Sequence, residues 1–265
     1  ITVCYNCENT ILKTIKSVNN QKYKNIEHII IDGKSTDKTF EIAKNNKIKN
    51  GKIISEKDTG IYNALNKGLK FATGDVISYL NADDFYPNEC ILENVISCFD
   101  DDYKIVYGNV EYFNNKKNRL SGRKFIPGIY KKNSYLNSWH PAWPAFFCLK
   151  ECYDKYGTFN ESLDVSADFE IMFRFQEINN LKSHYLNQTL AYMGDGGVSS
   201  KIKNIIIGNL NVIKAFKIHK KKIFILTFII KRLLPKILNF IKIKFFNSFS
   251  GLKLRLNKVP VAQSD

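Results

Sequence analysis

Short apolar runs and helical patterns alternate through about the first hundred residues of the chain. Residues 1–5 read as a strand, 10–19 as a helix, 26–31 as a strand and 37–45 as a helix. Residues 52–55 predict a third strand, 61–71 a helix closed by Gly74, and 75–80 a fourth strand that runs straight into an acidic loop. Such alternation is the pattern of βαβ units and a mainly parallel sheet flanked by helices. Further on, 87–99 predicts a helix and 105–113 a strand, and 114–124, rich in Asn and Lys, reads as a polar turn. Beyond it the periodicity weakens, and only a helix over 168–178 and a strand over 184–192 stand out.

With 265 residues, of which 44% are hydrophobic and 25% charged, the chain can bury one sizeable core and carry an appendage. The net charge of +15 is distributed unevenly. Residues 196–265 hold 15 Lys and Arg against a single acid, Asp265, and the rest is nearly neutral. That asymmetry argues against a nucleic-acid groove across the main domain and for a basic tail on a domain that works by other means. Six cysteines with no secretory leader ahead of them predict free thiols in a reducing cytoplasm.

Polar clusters fall at three predicted strand ends: Tyr5-Asn6, Asp32-Gly33-Lys34-Ser35-Thr36-Asp37, and Asn81-Ala82-Asp83-Asp84. Ligands of open α/β sheets bind outside the carboxyl ends of the strands, so three clusters there make a crevice for a base, a ribose and a diphosphate. Two adjacent carboxylates repel unless a cation sits between them, and hard oxygen donors suit Mg²⁺ or Mn²⁺. Read alone, Asp83 and Asp84 could equally cap the helix that follows, and Asp168 could be an ordinary acid at a helix start. Neither G-x-G-x-x-G nor G-x-x-x-x-G-K-[ST] occurs, which disfavours dinucleotide and P-loop enzymes.

The stretches ITVCYNCENTILKTIKSV, IEHIIIDGKSTDKT, GIYNALNKGLKFATGDVISYLNADD and SADFEIMFR together resemble the inverting glycosyltransferases of family 2, over roughly residues 1–200. The resemblance implies a GT-A fold, a Rossmann-like three-layer α/β/α arrangement with a mostly parallel central sheet. It also implies a sugar-nucleotide donor, UDP-linked as the commonest case, with Tyr5, Asn6 and Asp32 lining the base and ribose pocket. Asn66, Asn81 and Asp83 join the donor contacts, and Asp84 holds the Mn²⁺ or Mg²⁺. Asp168 matches the base that deprotonates the acceptor hydroxyl. Glu170 is the lesser alternative, because two residues along a helix turn the side chain by about 200°. Many members carry Asp where Asn81 stands, and Arg where Leu65 stands. The aromatic loop holding His140 and Trp143 offers a platform for an acceptor sugar, and a buried loop anchor is the alternative. The Gly-rich segment 195–200 is expected to cover the donor.

The predicted organisation is a catalytic domain over 1–200, with a donor half over 1–113 and an acceptor half over 114–200, followed by a tail over 201–265. A helix over 222–247 would set Lys231, Arg232, Lys236 and Lys242 opposite Leu, Ile and Phe, kinked at Pro235. No apolar run in the tail approaches the roughly 20 residues that cross a bilayer, so the profile is that of a helix lying on an anionic membrane through 201–258. This predicts a cytoplasmic enzyme peripheral on the inner face of the membrane, with a glycan or lipid-linked glycan acceptor. Packing of the tail on the protein is the alternative. Two rivals remain, a sugar-phosphate nucleotidyltransferase and an inactive GT-A-like membrane- or nucleic-acid-binding protein. The first wants a glycine-rich phosphate loop where this chain has CYNCENT.

Overall fold

The computed structural model describes residues 1–195, 202–223 and 228. The chain divides into two compact units. The first spans 1–135 and 139–222, and the second, 136–138 with 223–265, lies almost wholly outside the described residues. The 195–200 cover and the 222–247 helix also fall outside them, apart from Asp195, Lys222, Ile223 and Phe228.

The first unit is the mixed α/β architecture that the alternation predicts. Strands β1 (Thr2–Cys4), β2 (Ile29–Asp32) and β3 (Lys52–Ser55) pair in parallel. Helices α1 (Ile11–Asn19), α2 (Thr39–Asn46) and α3 (Ile61–Phe71) connect them and lead on to β4 (Val76–Ser78). The Ile1 amino group donates to Ser78 O (2.8 Å) and Leu80 N–H donates to Ile1 O (3.0 Å), which lays β4 parallel beside β1. The carboxyl ends of β1, β2 and β4 therefore share one edge. All four β2 residues are buried, as expected of a strand covered on both faces.

After α4 (Ile91–Ile96), strands β5 (Ile105–Asn114), β6 (Arg119–Phe125), β7 (Phe146–Leu149) and β8 (Ser183–Gly194) extend the sheet. β4, β7, β5 and β6 are joined by antiparallel pairings, and β8 runs parallel to β5. The 114–124 segment is thus a turn followed by a strand. Its polarity conceals β6 because Arg119–Lys124 are exposed on both faces and the strand is held by its ladder to β5. The core beneath β5 and β7 gathers Val106, Val110, Phe147, Leu190 and Ala191 with Ile91 and Val95 of α4.

Helices α5 (Lys150–Tyr156) and α6 (Ala167–Phe173) follow β7, and α6 continues into a π-helical turn, Arg174–Ile178. Helix α7 (Ile202–Ile218) buries Val212, Ala215 and Phe216. Phe216 packs edge-on to Phe169 and Phe173 of α6, and Ser166 Oγ donates to Gly208 O (3.1 Å). The first unit thus runs past residue 200, to Lys222. Among the described residues no helix is long and apolar enough to cross a membrane.

Glu170 ties these parts together. Its carboxylate accepts Arg174 Nε (3.0 Å) and Nη2 (3.0 Å) one turn on, and His219 Nε2 (2.6 Å) beyond α7. Arg174 also donates to Tyr156 O and Thr158 O. Burial pushes the Glu170 carboxyl up, but the hydrogen bonds from His219 and Arg174 and the Arg174 charge outweigh it and hold the group below the ordinary glutamate range. Removing one partner of a buried ion pair strands the other. Glu170→Ala is expected to lower unfolding free energy by about 3 kcal/mol, read from urea midpoints. A carboxylate held low contributes stability above its unfolded value and loses it as pH falls through its folded value. The gap between wild type and variant should therefore close on acidification below the usual glutamate range.

Candidate active site

The site assembles on the shared strand edge. Tyr5, just past β1, is 60% exposed. Asn6 follows with φ 51°, a left-handed turn that asparagine tolerates. Its Oδ1 accepts Thr36 N–H (2.9 Å), and its own N–H donates to Ser35 Oγ (2.9 Å). These bonds fasten the β1 exit to the loop after β2. Asp32, at the end of β2, is fully buried and accepts from Ser35 N–H (3.2 Å), Ser35 Oγ and Ser55 Oγ (2.6 Å). Asp58 joins this corner unannounced by the sequence: a Cβ on Gly33 would stand 2.6 Å from Asp58 Oδ2 and 3.5 Å from the Tyr5 ring. Glycine is what lets that carboxylate lie against the loop backbone.

Beyond β4, Asp84 is buried and receives Gly194 N–H (3.0 Å) from the end of β8 and Asn81 Nδ2 (3.1 Å). Phe85 and Tyr192 exchange backbone bonds (3.0 and 2.8 Å), clamping the acidic loop to β8. Asp83 presses on the same point. A Cβ at Gly194 would meet its Oδ2 at 2.5 Å, so a side chain there would displace the Asp83 carboxylate. Burial drives the Asp84 carboxyl well above the ordinary aspartate range and the neighbouring Asp83 adds to it. Burial raises Asp83 as well. A half-buried and a buried hard-oxygen carboxylate that resist ionising together fit a divalent cation. Among the described residues no third His, Cys, Asp or Glu joins them, so a bound cation would complete its shell from other donors.

Asp168 opens α6 and is reached from α3. Tyr62, in the first turn of α3, donates its hydroxyl to Asp168 Oδ1 (3.1 Å) and stacks on Phe159 (ring centroids 5.6 Å). Because α3 starts where β3 exits the sheet, this bond brings Asp168 to the same edge as the donor-side clusters. The sequence missed Tyr62, whose partner lies 106 residues away. Tyr62→Phe should lower kcat about tenfold with donor KM unchanged, as expected of a positioning residue. A purely structural loss would depress stability and KM together.

Other sequence candidates are placed less directly. The Asn66 amide is engaged: Oδ1 accepts Phe159 N–H (3.0 Å) while Nδ2 donates to Phe159 O (3.0 Å) and Glu161 Oε1 (2.8 Å). It clamps the 158–161 loop under Tyr62 instead of facing a ligand. Trp143 is buried between Tyr79 (4.8 Å) and Phe146 (6.0 Å), a core anchor and no exposed platform. Glu170 is committed to Arg174 and His219, as described, and does not share the position of Asp168. His140 lies against Phe169, the neighbour of Asp168, at 5.6 Å, and donates Nδ1–H to Pro141 O (2.8 Å). The structure thus gathers Tyr5, Asn6, Asp32, Asn81, Asp83 and Asp84 on the strand edge, with Asp168 beside it.

Half-buried Asp83 and buried Asp84 after β4, polar residues at the exits of β1 and β2, and a further carboxylate at the start of α6 make up the candidate site. The sequence profile of Glycosyl transferase family 2 matches residues 1–157, and the chain belongs to that family. It is 37% identical over 125 residues to the Escherichia coli UDP-Glc:alpha-D-GlcNAc-diphosphoundecaprenol beta-1,3-glucosyltransferase WfaP, covering 46% of this chain and 48% of that protein. It is 30% identical over 189 residues to the glycosyltransferase RT0329 of Rickettsia typhi, covering 67% and 58%. The chain spans about half the length of the curated relatives it matches. Among solved structures, S. aureus TarS superimposes with TM-score 0.61 at 18% identity, over 81% of this chain and 39% of TarS. A mannosyltransferase of Pyrobaculum calidifontis, in complex with GDP-Man and Mn²⁺, gives TM-score 0.61 at 17% identity over 88% and 68%. The fold is the GT-A type that the sequence resemblance implies.

Proposed function

We propose that the chain is an inverting glycosyltransferase that moves a hexosyl group from a UDP-sugar to a hydroxyl of a lipid-linked glycan acceptor in bacterial surface polysaccharide assembly. The observation that carries this reading is the Tyr62–Asp168 bond, which sets a candidate base beside the edge where Asp32, Asp83 and Asp84 are gathered. Support comes from relatives. WfaP and WfgD of Escherichia coli are named for UDP-Glc and a GlcNAc-diphosphoundecaprenol, and TarS is solved with UDP and with UDP-GlcNAc.

Tyr5, Asn6 and Asp32 bind and orient the nucleoside, and Asp83 contacts the sugar diphosphate. Asp84, its carboxylate oriented by Asn81 and Gly194, would hold Mn²⁺ or Mg²⁺, which would supply charge neutralisation for the departing diphosphate. Asp168 takes the proton of the acceptor hydroxyl as its oxygen bonds to the anomeric carbon. The carbon–phosphate-oxygen bond breaks on the opposite face, and its electron pair leaves with UDP. An α-linked donor would give a β-linked product. His140, beside Phe169, borders the acceptor side. Residues 1–113 would form the donor half and 114–200 the acceptor half of the catalytic domain. The basic stretch 201–258 would hold the enzyme at the inner face of the cytoplasmic membrane, which raises the effective concentration of a lipid-linked acceptor.

The test is transfer from UDP-glucose, with Mn²⁺, to a synthetic GlcNAc-diphosphate lipid, the product's anomeric configuration being read by NMR. A β-glycoside supports the reading. An α-glycoside, or nucleotidyl transfer with release of pyrophosphate, would replace it.

A further inference from the structure

The hairpin of β5 and β6 and the loop after it carry a net charge of one sign. Residues 116–132 carry seven Lys and Arg, and no acid occurs from 112 to 150. Lys116, Lys117, Arg119, Arg123, Lys131 and Lys132 are all exposed. Among the described residues, Lys124 is the basic side chain here that is in an ion pair, with Glu111 (2.8 Å). Set among these charges are bare aliphatic side chains: Leu120 is 40%, Ile126 61% and Ile129 72% exposed.

The loop that carries the isoleucines is fastened from within. Tyr107 OH donates to Gly128 O (3.0 Å) and accepts Tyr130 N–H (2.7 Å). Trp139 Nε1 donates to Pro127 O (2.6 Å), and Tyr130 OH donates to Glu177 Oε2 (2.7 Å). The backbone is thus held at 127, 128 and 130, between and after Ile126 and Ile129, whose side chains are exposed. Charges on β6 would suffice to guard an edge strand against pairing. That need does not explain rigidly displayed isoleucines.

We infer that the β5–β6 hairpin and the 126–132 loop form a docking face for an anionic lipid bilayer, separate from the basic tail. Lysine and arginine complement the negative headgroup layer, and Leu120, Ile126 and Ile129 enter the boundary with the acyl chains. Aliphatic and not aromatic exposure at the tips favours lipid over nucleic acid, whose bases stack on aromatic rings. The hairpin turn lies next to the acidic loop: Lys13 Nζ, stacked on Phe85 and Phe113, donates to Asn118 Oδ1 (3.3 Å). Docking this face brings the strand-edge site to the membrane surface.

The experiment uses the full chain and vesicles of phosphatidylcholine with or without phosphatidylglycerol. Because the tail can attach by itself, the hairpin needs its own reporter. Ile129→Trp, read as the emission difference from wild type, should shift to the blue on phosphatidylglycerol vesicles. The double variant Ile126→Ser/Ile129→Ser should bind them about tenfold more weakly. Both changes are on exposed side chains and leave the core intact. Unshifted emission from vesicle-bound Ile129→Trp, or unchanged affinity of the double variant, would overturn the inference. So would loss, in the same double variant, of duplex DNA binding or self-association while vesicle binding stays intact. Vesicle binding is read without sugar transfer, so this inference and the proposed activity fail separately.

Discussion

Asp168→Asn is expected to reduce transfer by about 10³-fold while nucleotide binding, measured by calorimetry, stays within about twofold of wild type. Asparagine is close in size and can still accept the Tyr62 hydroxyl, so the bond between α3 and α6 survives. What disappears is a group able to take the acceptor proton. An isosteric loss of this kind appears in kcat and leaves the proposed donor contacts at Tyr5, Asn6, Asp32 and the acidic loop untouched. Activity of Asp168→Asn at the wild-type rate would remove Asp168 from the mechanism, and Glu170, locked to Arg174 and His219, offers no replacement.

Asp84→Asn should abolish the dependence of nucleotide binding on Mn²⁺ or Mg²⁺ and weaken UDP binding in their presence by at least about tenfold. In the cation-free protein the same change should raise the melting temperature. Burial and Asp83 push the Asp84 carboxyl up. The native state therefore holds a proton that the unfolded chain releases, and wild-type stability falls as pH rises from the ordinary aspartate range through the raised value. Asparagine carries no charge, so that slope should flatten in a pH series of melting curves. Mn²⁺ should oppose the slope in wild type only. Trading stability for a charged site is a common cost of function.

The sequence made residues 1–113 legible because their elements follow simple periods. Helix α3 is found over the very residues its pattern predicts, and β3 likewise. Strand β1 and the exit at Tyr5-Asn6 were visible because an apolar run stops abruptly at polar turn residues. The chain beyond them was less readable for a physical reason. Strand β6 has no apolar face: it is held by its pairing to β5, with Phe125 at its end packed on the core. Strand β7 has four apolar residues in sequence, with neither a helical nor an alternating period to name it. The predicted helix over 87–99 contracts to Ile91–Ile96, its flanks being taken up by turns.

In the site, residue types were readable and long-range partners were not. Asp32, Asp83, Asp84 and Asp168 announce themselves at element ends. That Tyr62 would hold Asp168, that Gly194 would make room for Asp83, or that Asn66 would clamp Phe159 depends on contacts between residues about a hundred positions apart. Trp143 misled because an aromatic residue in a proline-rich loop looks the same in sequence whether it faces a sugar or Tyr79.

The most direct test of the donor site is thermal unfolding of the wild-type chain against UDP, GDP, dTDP and CDP, with and without Mn²⁺. A ligand that binds the native state raises its apparent stability. The account predicts an increase with UDP that requires Mn²⁺ and vanishes in Asp84→Asn. No shift with any nucleotide, in either condition, would contradict it and leave a GT-A domain without a donor site.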